Sequence, residues 1–173
     1  MRSFLSLTAL AALTAWLLSA CVVLKNEPLL VERNRSESPA MAGVWTDEQG
    51  ERLTVNATDF SNTFVAVPPD GRNHIRVTFE ELSPNRYIFQ AIAAVGEKNE
   101  KAVFLTVAEL DGRQIKIFFF PDQLPAIQKL AAANGMTIAD NGYISAYESV
   151  DGLADFFGGL FNLQGRPLTF TKR

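Results

Sequence analysis

The sequence predicts an α+β domain: an antiparallel sheet of six to eight strands, open or curled into a barrel, with two helices packed against it. Three observations carry this. Short alternating apolar segments separated by turn residues fill the middle of the chain. Two segments with helical periodicity follow them. The hydrophobic fraction of 47% and charged fraction of 20% suit a packed core rather than a disordered chain.

The strands begin after Ala42. Gly43-Val44-Trp45 starts an apolar edge, and Leu53 to Val55 continues it beyond a polar turn at Gly50. Phe64 to Val67 ends at Pro68-Pro69-Asp70-Gly71, a strong turn. Ile75, Val77 and Phe79 alternate with Arg76, Thr78 and Glu80, the period of a half-buried strand. Ser83-Pro84-Asn85 turns the chain into Tyr87 to Ile92, and a polar loop at 96–101 leads to Val103, Leu105 and Val107. Asp111-Gly112 reads as a two-residue hairpin turn before Ile115, Ile117 and Phe119. Residues 72–120 therefore form a four-stranded meander. Its last two strands carry bulky groups on both faces, so the helices cover one face or the sheet closes around an apolar interior.

The period then changes. Asp122 is placed to cap a helix bearing Leu124, Ile127, Leu130 and Ala131 on one side, and Asn134-Gly135 stops it. Tyr143 to Tyr147 reads as a short strand. Asp151 is placed to cap a second helix whose Leu153, Phe156, Phe157, Leu160 and Phe161 form an amphipathic stripe. Pro167 to Thr171 is the last strand.

The organisation has three parts. Residues 1–20 read as a signal peptide: Arg2 gives a positive start, a mostly apolar run follows, and Leu18-Ser19-Ala20 precede Cys21. Residues 21–40 read as a polar tether, although Leu29, Leu30 and Val31 could pack back onto the domain. Residues 41–173 form one globular domain. The stretch Leu18-Ser19-Ala20-Cys21 resembles the bacterial lipobox. That resemblance implies cleavage between Ala20 and Cys21, diacylglycerol on the Cys21 sulfur and an acyl chain such as palmitate on the new amine. Val22, where an aspartate would favour the inner membrane, implies export to the outer membrane. The alternative is an uncleaved membrane-spanning helix over 3–24.

Composition limits the chemistry. One cysteine excludes an internal disulfide and a thiolate metal cluster. His74 is the single histidine, no G-x-S-x-G is present, and the paired acids Glu80-Glu81, Glu97 with Glu100, and Asp151 with Asp155 lack a calcium-loop spacing. Neither a cofactor, a metal nor catalysis is expected. Net charge of −3 argues against nucleic acid.

Two sites stand out. Gly43-Val44-Trp45 resembles the G-x-W of lipocalins, small barrels that hold apolar ligands; the resemblance covers three residues and implies that Trp45 contacts a ligand, with Arg173 stacked on it. The plainer reading makes Trp45 a core anchor. Arg72, His74 and Arg76 project from one strand face and suit an anionic head group, or simply form a solvated basic face. The leading expectation is a membrane-anchored envelope lipoprotein acting as a non-enzymatic structural or interaction module with an envelope protein partner. An exposed apolar patch would favour it. The alternative is a lipocalin-like binder, which an apolar cavity lined by phenylalanines beside Trp45 would favour.

Overall fold

The structure, a computed structural model, describes residues 22–24, 30, 32, 40–71, 74–95, 100–120, 123–139, 144–147, 150–163 and 165–173. Eleven strands and two helices are formed by these residues: β1 (Val22–Leu24), β2 (Gly43–Asp47), β3 (Arg52–Ala57), β4 (Thr63–Val67), β5 (Ile75–Ser83), β6 (Arg86–Val95), β7 (Glu100–Asp111), β8 (Gln114–Phe119), α1 (Leu124–Ala133), β9 (Met136–Ile138), β10 (Ile144–Tyr147), α2 (Val150–Leu160) and β11 (Arg166–Lys172).

Strands β2 to β8 run as an antiparallel meander, and β11 enters between β8 and β2. A further pairing of β7 with β8 completes a closed eight-stranded antiparallel barrel. Closure pairs every one of these eight strands on both sides, although β7 meets β8 only over Ala108 to Asp111. The antiparallel sheet and its two helices match the sequence reading. The α+β class needs correction, because the chain is mostly β and the helices lie outside the barrel. The physical reason is that β11, separated from β8 by both helices, returns to the same sheet instead of starting a new layer.

The four-stranded meander is β5 to β8, and Gly112 at its last turn has φ +54°, the left-handed conformation that glycine adopts at little cost. Helix α1 ends at Asn134, with Gly135 at φ +68° beyond it, as the Asn-Gly pair predicts. Its start differs: Gln123 stands at the cap position with Pro125 in the first turn, and Asp122 lies outside the described residues. Asp151 is not a cap either. Helix α2 begins at Val150, so Asp151 lies in its first turn. Tyr143 lies outside the described residues, but β10 forms beside it and pairs with β9. Strand β9 escaped prediction because three residues directly after a helix stop carry too little period.

Strand alternation sorts apolar side chains into two cores. Trp45, Val55, Phe64, Val77, Phe79, Phe89, Phe104, Phe119 and Phe170 face inward. Ile88, Leu105, Val107 and Phe120 face outward and meet Ile127, Ala131, Leu153, Phe156, Phe157 and Leu160 of the helices, with Met136, Ile138 and Ile144 of the small hairpin. The two-faced bulk of β7 and β8 thus serves both purposes that the sequence left open. Packing in the outer layer is close. A Cβ added at Gly159 would lie 2.8 Å from Leu130 Cδ1, and one at Gly165 would lie 2.7 Å from Phe120 Cε1. Arg86 ties the layer to the barrel by donating to Glu109 at 3.2 Å and lying over the Phe161 ring at 4.6 Å.

The segment between 21 and 40 is in contact with the barrel wall where it is described. Strand β1 pairs with Val103 to Leu105 of β7, on the edge that β8 occupies further along at Ala108 to Asp111. Leu30 is buried in the outer core. Its N–H donates to Gln90 Oε1 at 2.9 Å, and Gln90 Nε2 donates to Leu30 O at 3.4 Å. Glu32 bonds Arg76. At Leu30, therefore, the chain packs back onto the domain, and the amide of Gln90 satisfies both backbone groups there much as a neighbouring strand would.

Candidate functional site: an apolar cavity inside the barrel

The inward residues do not fill the barrel. A cavity of about 80 Å³ remains, and all fifteen residues lining it are apolar, among them Trp45, Leu53, Ala66, Ile75, Phe79, Phe89, Ala91, Ile115 and Leu168. An eight-stranded barrel has an interior just wide enough for side chains or one small ligand. Which outcome prevails depends on side-chain size. Here Ala66, Ala91 and Ala93 stand at inward positions of β4 and β6. Strands disfavour alanine because it packs little surface. Ala66 and Ala91 line the cavity and leave space that larger side chains there would fill.

The cavity has two unlike ends. Toward the β3–β4 and β5–β6 turns, aromatic rings close the barrel. Phe79 is the hub, edge-on to Phe89 at 5.3 Å, Tyr87 at 6.0 Å and Phe64 at 6.1 Å. Burial, with the Glu81 carboxylate nearby as a second cause, pushes the Tyr87 phenol above its ordinary value. At the opposite end, near the β2–β3 and β4–β5 turns, Leu53, Ile75, Ile117 and Leu168 are only partly buried. All four line the cavity, whereas Tyr87 and Leu110, also partly buried but at the aromatic end, do not, so the cavity opens at that rim. Asp47 stands there, its carboxylate accepting the N–H groups of Gln49 at 2.9 Å and Glu51 at 2.8 Å.

Trp45 lies within the cavity wall, 1% exposed. Its indole N–H donates to Met41 O at 2.7 Å, so its one polar atom is satisfied. The stacking expected of Arg173 belongs instead to Lys172, whose Nζ lies 5.8 Å from the Trp45 ring centroid and donates to Ala40 O at 2.7 Å. Arg173 bonds Thr46 Oγ1 through Nε at 2.9 Å. The register explains the exchange, because Lys172 is the direct partner of Trp45 across β2 and β11. Gly43 takes part too: a Cβ there would lie 2.8 Å from Lys172 Cε. The spacing of Gly43 and Trp45 thus admits the lysine stem beside the indole.

The basic cluster does not join this site. Ile75 and Val77 face the cavity, which puts Arg76 on the outer wall, where it bonds Glu32. His74 is exposed just before β5, and Arg72 lies outside the described residues, as do Ala20 and Cys21. Among the described residues, no three His, Cys, Asp or Glu side chains cluster as a metal site. The sequence singled out Trp45 but missed the alanines and Lys172. The period-two recurrence of Ala91 and Ala93 along a strand otherwise rich in bulky residues was the available clue.

No known family, characterised protein or solved structure matches this chain.

Proposed function

We propose that this chain is a lipid-anchored protein of the bacterial envelope whose barrel binds a small apolar ligand and carries out no chemistry. The wholly apolar lining of the cavity supports the binding role: a cavity without polar groups offers a ligand only the transfer of apolar surface out of water. The competing role as an interaction module called for an exposed apolar patch, and Val44 is the sole large apolar residue exposed among the described residues. The anchor rests on Leu18-Ser19-Ala20-Cys21 behind its apolar leader, with Val22 favouring the outer membrane. Two or three acyl chains would hold the protein durably where one holds it marginally.

Native mass spectra of protein taken gently from host membranes test the binding role. A reproducible added mass, beyond any covalent lipid and lost on denaturation, is expected. A bare chain that also gains no mass from a panel of apolar compounds would refute it. For the anchor, Cys21→Ala is expected to abolish lipid labelling and membrane retention; unchanged labelling would refute it.

A further inference from the structure

We propose that the cavity receives the methyl end of a single hydrocarbon chain, tail first, and leaves the polar head at the rim. This rests on the barrel being a ligand binder and narrows the ligand's class. Size gives the first argument. Apolar cavities of roughly 150 Å³ take a benzene ring. The cavity here is about 80 Å³, which suits a slender chain end and excludes a ring unless the wall moves.

Polarity gives the second argument. The lining surface is wholly apolar, and the one side-chain N–H among the lining residues, the Trp45 indole, is already bonded to Met41 O. A buried carboxylate, hydroxyl or amide would find no partner and would cost its full desolvation. The head must therefore remain in water. Direction gives the third. Phe64, Phe79 and Tyr87 close one end, and the half-buried Leu53, Ile75 and Leu168 mark the other. A chain entering past Ile117 and Leu168, four residues along β11 from Lys172, the partner of Trp45, advances toward Trp45. Discrimination then falls on the tail: branching or a ring weakens binding, and exchange of the head group changes it little.

Trp45 reports the depth directly. In the full chain carrying Trp16→Phe it is the sole tryptophan. Its emission is recorded during titration with saturated fatty acids brominated either on the terminal carbon or beside the carboxylate, because bromine quenches indole only near contact. The terminal bromide is expected to quench most of the emission and the carboxylate-side bromide to leave most of it. A bromobenzene derivative of similar hydrophobicity is expected to leave it unchanged. Equal or reversed quenching by the two acids would overturn the tail-first proposal. Quenching by the ring compound alone would overturn the chain proposal and keep the apolar binder. Quenching by none of the three, with no binding seen by calorimetry, would overturn both.

Discussion

The barrel interior and the layer outside it are built from the same kinds of side chain, and they pack to different ends. Outside, Phe156, Phe157, Ala131 and Leu105 are at most 1% exposed, and Gly159 and Gly165 bring backbone so close to Leu130 and Phe120 that a methyl group would collide. Inside, alanines stand opposite phenylalanines and a cavity remains. Close packing is the normal state of a protein interior, and a void forfeits dispersion contacts. A fold that achieves density in one core and leaves the other hollow therefore points to the hollow one as the place for a ligand.

Truncation gives the largest expected contrast. Phe156→Ala, in the dense layer, should cost about 3–5 kcal/mol, read as the denaturant midpoint at unchanged slope. A stable variant would mean that the outer layer is looser than its burial implies. Enlargement sharpens the comparison further. Ala131→Val adds volume where none is free and should cost about 1–3 kcal/mol. Ala91→Val adds the same volume beside the cavity and should be neutral or stabilising by up to ~1 kcal/mol, while weakening ligand binding. Equal destabilisation by the two would contradict the contrast. Next comes the segment that bridges the two regions. Gln90→Leu leaves the Leu30 N–H and C=O without their partner and should cost roughly 1–3 kcal/mol, with faster amide exchange at Leu30 as the local sign. Glu32→Gln, at a largely exposed pair with Arg76, should change stability by less than about 1 kcal/mol.

The smallest effect is alkaline. Tyr87 has a phenol pKa raised in the folded state, so the native protein holds the proton more tightly than the unfolded chain. That contribution is complete below pH about 10, the unfolded value, and is lost as pH rises through the folded one. Stability should therefore fall with pH in that range, and Tyr87→Phe should flatten the fall. An unchanged profile would assign the loss to other groups.

Much of this was legible in the sequence for identifiable reasons. Period-two runs such as Ile75-Val77-Phe79 and turn pairs such as Asp111-Gly112 are local, and the meander follows them closely. Helix α2 announced itself through Leu153, Phe156, Phe157 and Leu160. Closure was not local, because it depends on Phe170 and Lys172 pairing with Asp47 and Trp45 across most of the chain. The cavity was less legible still. Trp45 drew notice through the Gly43-Val44-Trp45 spacing, but the space is set by what Ala66 and Ala91 lack, and a missing volume has meaning only once the barrel closes. The return of Leu30 to the wall depends on Gln90, a polar residue that alternation assigns to the outer face without showing its partner.

Xenon, an apolar probe small enough for such a space, tests the hollow core most directly. Methyl spectra of the protein would be recorded under rising xenon pressure. The account predicts saturable shifts at Ala66, Ala91 and Ile115 and none at Leu105, Ile127 and Leu153. Shifts spread equally over both sets, or confined to the outer one, would contradict it.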